Sequence, residues 1–564
     1  MLYACGGGGG SVVPSTIQPV IPAGNNGITT TPESSVTTQF TDVTRNSGLD
    51  YDTGFAIRPM DASVRLIATS AAAAGDYDGD GDTDVFITRG DIGTNLLFRN
   101  DGNLIFTEVA KDAGLDFTLL RQSGATFADM DGDGDLDLFI GGLEDESLLY
   151  ANNGDGTFTD VTYGSGIDTL TTTYNLSAAF GDYDLDGDLD LFVAHWGTPH
   201  NQYDPGDTQH LWRNDSDEKG IRFTSVSVDA AISPSIVTLE DPYAWFQKED
   251  DRTFTPVFAR IDADEYPDLL IAADFNQSQY FSNNGDGTFN NVTDVDVLVD
   301  GNGMGSAVGD YDNDGDLDWF VTSILYPGDE TVLDSPLSHI GNRLYENHLG
   351  VFKDVTEFAG VKDGGWGWGA CFMDFENDGD LDIYHTNGWQ ETFDADYATE
   401  PDEDSVSFEI DNSRAFVNQG DGSFTESAES LGLLDEEMGR GVVCADFDED
   451  GDVDILLLHD SATLWRNDLE GNTYLRIKLQ GKAPNTEASG ARITVTADGK
   501  SQIREIMIGS NFVSQNPTIQ VFGLGTATSA DVTILWPDGQ ETLMPDVPHQ
   551  QTIIVKHPDI MGSE

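Results

Sequence analysis

Cysteine is scarce in this chain: three in 564 residues, at Cys5, Cys371 and Cys444. That excludes a small scaffold held together by many disulfides. Cationic side chains are scarce too, 26 Lys and Arg against 101 Asp and Glu, for a net charge of −75. A surface built to grip nucleic-acid phosphates is excluded on that ground. No stretch approaches the roughly 18 consecutive apolar residues of a membrane-spanning helix. Nor is there a nucleophile elbow, a zinc motif or a phosphate-binding loop. Paired carboxylates carry no catalytic meaning among so many acids, so the chain reads as a non-enzyme.

What is abundant is aspartate in a fixed pattern. Seven times the chain writes a ladder of the form D-x-D-x-D-G-x-x-D, followed each time by a short apolar run. The first is Asp76, Asp78, Asp80, Asp82 and Asp84, leading into Val85-Phe86-Ile87. The second and third are Asp129, Asp131, Asp133, Asp135, Asp137 and Asp182, Asp184, Asp186, Asp188, Asp190. The fifth, sixth and seventh are Asp310, Asp312, Asp314, Asp316, Asp318; Asp374, Glu376, Asp378, Asp380, Asp382; and Asp446, Asp448, Asp450, Asp452, Asp454. Carboxylates crowded at alternate positions repel one another unless a hard cation binds them. Calcium, which takes six to eight oxygens at about 2.3–2.6 Å, is the expected ion. In the first ladder Asp76, Asp78, Asp80 and Asp84 are the expected side-chain ligands, with the Asp82 carbonyl as a fifth and Gly81 making the turn. An EF-hand needs a Glu at position 12 and flanking helices, whereas position 12 here is Ile87, Ile140, Val193, Ile271, Val321, His385 or Leu457. The fourth ladder is degenerate: Arg260 replaces the first acid, leaving Asp262, Asp264 and Asp268. Six calcium sites are therefore expected, with a seventh weak or empty and Arg260 standing in for the ion.

The ladders also give a repeat. Their first positions advance by 53, 53, 78, 50, 64 and 72 residues, a unit of about 50 with insertions. Each unit carries four strand-like pieces, as in Ser123–Ala128, Leu138–Ile140, Leu148–Asn152 and Phe158–Thr162. Asn153-Gly154-Asp155-Gly156 between the last two is a hairpin signal, and it recurs at Asn284-Gly285-Asp286-Gly287. Four short strands repeated radially make a propeller blade, so seven blades are predicted over residues 39–470. Phe40-Thr41-Asp42-Val43-Thr44 matches a fourth strand yet precedes the first ladder, so it should complete the seventh blade.

From Asn472 the ladders stop and alternating strands follow, consistent with a small β-sandwich over 471–557 and a tail at 558–564. Here the chain resembles a known family. Gly490-Ala491-Arg492, Ser514-Gln515, Phe522-Gly523-Leu524-Gly525 and Trp536-Pro537-Asp538-Gly539 appear in the order of the ASPIC/UnbV domain. The ladders resemble FG-GAP/VCBS repeats, the calcium hairpins of integrin-α-type propellers. Together they are similar to bacterial relatives of the cartilage acidic protein family. The resemblance implies an extracellular, calcium-binding, all-β protein, a seven-bladed propeller with a C-terminal β domain, and supplies no defined activity.

At the N-terminus, Leu2-Tyr3-Ala4-Cys5 with Gly6 to Gly10 resembles a bacterial lipobox. It implies lipidation at Cys5, residues 1–5 as the remnant of a signal, and export to the outer membrane, cell surface or medium. Residues 6–38, rich in Gly, Ser, Thr, Asn and Pro, read as a flexible linker. Cys371 and Cys444 read as free buried thiols, because they lie at different offsets from their ladders. Arg89-Gly90-Asp91 spells an integrin-recognition tripeptide, a chance occurrence in a chain so rich in Gly and Asp.

Since the calcium hairpins share one face, a ligand is expected on the other. The strand ends there include Arg121, His195, Trp196, Trp366, Trp368, Trp389, Arg440 and His459. Tryptophan faces beside polar groups suit sugar rings. The expected role is surface recognition or adhesion by a monomer, toward a glycan or an extracellular protein. The alternative is a carbohydrate-active propeller, lyase-like or lectin, on the same face.

Overall fold

The computed structural model describes residues 39–55, 70–116, 120–200, 205–236, 251–325, 340–389, 411–435, 437–509 and 511–561. The expectations for Cys5 and the 6–38 linker lie outside these residues. Among the described residues, seven antiparallel sheets each run their four strands in order, one of them joined by a fifth strand. The first blade is Ala72–Gly75, Asp84–Ile87, Leu96–Asn100 and Phe106–Glu108. The first strand of every blade touches that of the next, around a closed circle from Ala72–Gly75 to Val442–Ala445. The seventh blade is completed from the other end of the chain: Phe40 pairs with Asn467 and Asp42 with Trp465.

The innermost strands lie where blades converge, so small residues are required there. A Cβ on Gly75 would stand 2.8 Å from Leu136 of the second blade, and one on Gly181 2.8 Å from Phe258 of the fourth. Blades stack through apolar faces: Val85, Ile87 and Phe98 of the first pack with Val443, Leu456 and Leu464 of the seventh. Strands buried on both sides read as continuous apolar runs, as these do.

A second device joins the blades. The third strand of each carries a buried asparagine at or next to its end: Asn100, Asn152, Asn214, Asn283, Asn347, Asn418 and Asn467. Its main-chain N–H donates to the last aspartate of its own ladder at 2.7–2.9 Å. Its side-chain amide donates at 2.8–3.1 Å to the carbonyl of position 2 in the preceding blade's ladder. That same position-2 residue donates its N–H to its own ladder's last aspartate at 2.6–3.3 Å. One circular network thus fixes the closing carboxylate of every ladder and the spacing between blades. Cys371 and Cys444, on the first strands of blades six and seven, form a disulfide, which corrects the free-thiol reading. Adjacent inner strands bring the two sulfurs together although their offsets from the ladders differ.

Residues 473–556 form two sheets around one core of Leu475, Ile477, Ile493, Val495, Phe522, Ile534 and Trp536. This domain sits on the ladder side of the ring and sends a segment into it. Ile508 bridges to Phe180 of blade three, and Ser514–Gln515 pairs in parallel with Ala72–Ala73 of blade one. The Gln515 side chain both accepts from and donates to the backbone of Phe127, at 2.7 and 2.8 Å. Asn511 donates to the Val442 carbonyl at 2.9 Å. Contacts to blades one, two, three and seven mean that the segment lies along the ring's axis, where Phe512 is fully buried.

Candidate metal centre

Each ladder hairpin joins the first and second strands of its blade, so all seven lie on the face that the C-terminal domain covers. In the first two, oxygens of Asp76, Asp78 and Asp84, and of Asp129, Asp131 and Asp137, lie within 4.8 Å of one another. The closing aspartate is buried in every ladder and held by two backbone N–H donors, which aims it inward. In ladders one, three and seven the inner oxygens of positions 1 and 3 are buried without a hydrogen-bond partner: Asp76, Asp78, Asp182, Asp184, Asp446 and Asp448 Oδ1. A buried carboxylate oxygen with no donor is costly unless a cation meets it. Burial pushes the closing Asp84 and Asp318 carboxyls up to about 9, and burial with neighbouring ladder charges pushes Asp182 up to about 7. This donor set of hard oxygens fits a calcium ion. Ladders two, five and six close slightly differently: position 1 accepts a backbone N–H from position 5 at 3.0–3.1 Å.

The fourth ladder, which lacks the first acid, has different partners. Arg260 pairs with Glu505 of the C-terminal domain at 3.4 Å, and Arg492 holds the same carboxylate at 2.7 Å. Inside the loop, the Tyr280 hydroxyl donates to Asp268 at 3.3 Å and the Asp262 N–H does so at 3.2 Å. Elsewhere the signs are reversed, with the ring acidic and the domain basic. Lys478 meets Asp76 and Arg476 meets Asp446, both at 2.8 Å, and Lys500 meets Asp380 at 2.7 Å. In ladders one and seven, position 1 thus faces the docked domain with one oxygen and the loop interior with the other.

The opposite face is more closed than the sequence suggests. Arg121, His195, Trp368, Arg440 and His459 are buried, which corrects their reading as an open rim. Trp368 packs on Phe512 with ring centroids 5.2 Å apart, and the Arg440 guanidinium lies 4.5 Å from the Trp368 ring centre. Arg121 pairs with Asp91 and Glu144, so the Arg89-Gly90-Asp91 tripeptide is not displayed either. Trp196, Trp366 and Trp389 remain half-buried, the last two stacked with centroids 4.7 Å apart. The sequence reading passed over the seven asparagines and the Glu505 partner. The former left a signal, an Asn at or next to the end of every third strand; the latter left none.

Residues 76–140, 129–193, 260–321 and 402–457 match the FG-GAP-like repeat family, and residues 481–561 match the ASPIC and UnbV family. The chain is therefore an FG-GAP-like repeat protein carrying an ASPIC and UnbV domain. It is related to cartilage acidic protein 1 of Mus musculus and of Homo sapiens, at 26% identity over 282 residues in each case. Those matches take in 46% of this chain and 39% and 38% of the relatives, so they span about two fifths of the relatives' length. Among solved structures, a Trypanosoma rangeli sialidase is similar at 9% identity and a TM-score of 0.30, over 76% of this chain and 57% of that one. An exotype rhamnogalacturonan lyase is similar at 12% identity and a TM-score of 0.25, over 92% of this chain and 76% of that one. Likenesses so slight carry nothing about function.

Proposed function

We propose that the protein is an exported, calcium-stapled propeller that serves recognition or adhesion at a surface and performs no chemistry. Calcium is structural in this reading, held by positions 1, 3, 5 and 9 of six ladders, while the fourth loop is closed by Tyr280 instead. The observation that carries the calcium assignment is the set of buried, partnerless Asp oxygens aimed into ladders one, three and seven. An ion bound only by the native ring stabilises it by mass action. Chelation should therefore lower the melting temperature by many degrees and calcium restore it, whereas an unchanged melting curve refutes the assignment. The recognition surface reduces to the half-buried Trp196, Trp366 and Trp389, whose exposed portions would meet a glycan or an extracellular protein. A calcium-replete glycan and matrix-protein screen tests it. Binding left intact by Trp366→Ala with Trp389→Ala removes this surface from consideration. Any membrane attachment would be through lipidated Cys5, tested by mass spectrometry of the mature N-terminus.

A further inference from the structure

Three of the chain's nine histidines fall between residues 195 and 210, and the fold gathers them at one point. His195 ends the second strand of blade three, Asp190–His195; His210 precedes the third, Leu211–Asn214; His200 lies on the loop between. Asp251 stands just before the first strand of blade four, Thr253–Ala259. It is held against the loop by two backbone bonds, Gly197 N–H to Asp251 O at 2.7 Å and Asp251 N–H to Thr198 O at 2.8 Å. One carboxylate oxygen, Asp251 Oδ2, is then 2.8 Å from His210 Nε2 and 3.5 Å from both His195 Nδ1 and His200 Nε2. All four atoms are buried, and none has a hydrogen-bond partner outside the cluster.

The far side of each inner ligand is tied down. His195 Nε2–H donates to the Thr208 carbonyl at 2.8 Å, which leaves the Nδ1 lone pair pointing into the cluster. His210 Nδ1 bonds the Thr208 hydroxyl at 2.8 Å, which leaves Nε2 inward. Asp251 Oδ1 accepts the Thr253 N–H and hydroxyl at 2.8 and 2.7 Å, which leaves Oδ2 inward. Such outer bonds set the tautomer and aim of metal ligands. Bonds of about 2.0–2.1 Å put tetrahedral donors about 3.3 Å apart, and the contacts to Asp251 Oδ2 bracket that spacing. Donor atoms of His195, His200 and Asp251 lie within 4.8 Å of one another, and His210 joins them through its contact to Asp251.

We infer that His195, His200, His210 and Asp251 form a closed, four-ligand site for a divalent transition metal, zinc by its geometry and mixed nitrogen and oxygen donors. Three imidazoles exclude a calcium site. With all four positions filled by protein, the ion is structural, and it clips the 196–200 loop of blade three to the start of blade four. This site lies at the strand ends away from the ladders, so the ring carries hard-ion staples on one face and one borderline-ion staple on the other.

The test uses the full chain in excess calcium, loaded with zinc sulfate, desalted and assayed by elemental analysis. About one zinc per chain should survive desalting, and cobalt loading should give the intense visible band of a tetrahedral nitrogen and oxygen site. His200→Gln and Asp251→Asn should each retain roughly tenfold less zinc or below, with unchanged far-ultraviolet circular dichroism. His200 lies at the cluster's edge, so its variant carries the test if Asp251→Asn fails to fold, and the cobalt spectrum needs no variant. Wild-type protein without retained zinc, an octahedral cobalt spectrum, or full retention by His200→Gln overturns the assignment.

Discussion

Replacing Asn283 by alanine probes the blade-joining network at the ladder that lacks the first acid and has the Tyr280 hydroxyl on its closing aspartate. The Asn283 amide donates to Tyr183 O of blade three and to Pro267 O of blade four, both at 2.8 Å. Its oxygen accepts the Gly285 N–H at 3.0 Å. The substitution leaves the main-chain bond to Asp268 in place. It strips two buried carbonyls of a donor, and each such loss costs about 1–3 kcal/mol. The Gly285 N–H is near enough to water to be re-solvated, and each carbonyl keeps a second lone pair. The expected loss is therefore in the lower half of that range per carbonyl, about 2–4 kcal/mol in total. Urea unfolding in calcium should show the midpoint falling with little change of slope. The neighbouring exposed Asn284→Ala should stay within about 0.5 kcal/mol of wild type. If Asn283→Ala moves the midpoint no more than Asn284→Ala does, the network is decoration and the blades are held by apolar stacking alone.

Other consequences are as specific. Phe512→Ala empties a fully buried site against Phe254 and Trp368. It should cost about 3–5 kcal/mol and make the C-terminal domain cleave away from the ring in limited proteolysis. Glu505→Gln leaves Arg260 and Arg492 facing each other without their carboxylate, a broken buried pair worth about 3–5 kcal/mol, read by thermal melting at fixed calcium. Calcium binding near neutral pH should expel protons, since burial holds Asp84 and Asp318 at about 9 without the ion. Calorimetry in two buffers of different ionisation enthalpy detects this as differing apparent heats. The sign follows for chelated protein: the native carboxyls bind protons more tightly than unfolded ones, so stability falls as pH rises from about 4 toward 9. A chelated melting temperature that rises over that interval contradicts it.

Much of the ring is legible in the chain because it is written locally. Ladder, apolar run and Asn-Gly turn all lie within about 30 residues, and each reports a strand or a hairpin by its own chemistry. What escapes is decided by partners far away. Trp368 and Arg440 have the composition of a binding rim, yet Phe512, more than 70 positions later, buries the first and the second stacks on it. Arg260 sits where an ion ligand is missing, and only Glu505, 245 residues on, explains its charge. Cys371 and Cys444 are 73 residues apart, and their pairing depends on which faces of two inner strands meet. The histidine cluster was hidden in the same way, since no short metal motif spans four ligands on two blades.

The strand Phe40–Asp42 leaves the ribosome first among the blade strands, and its partner Ala462–Asn467 leaves last. Until that partner emerges the seventh blade lacks its outermost pairing and the ring keeps an open seam. The axial segment, which includes Ile508 and Ser514–Gln515, emerges after the seam's partner does. A ring already shut must admit it end-on, whereas a ring still open can close around it. A nascent chain halted at residue 470 would hold every blade strand and no axle. Such a chain tells whether the axle is threaded through a finished wheel or the wheel is assembled upon it.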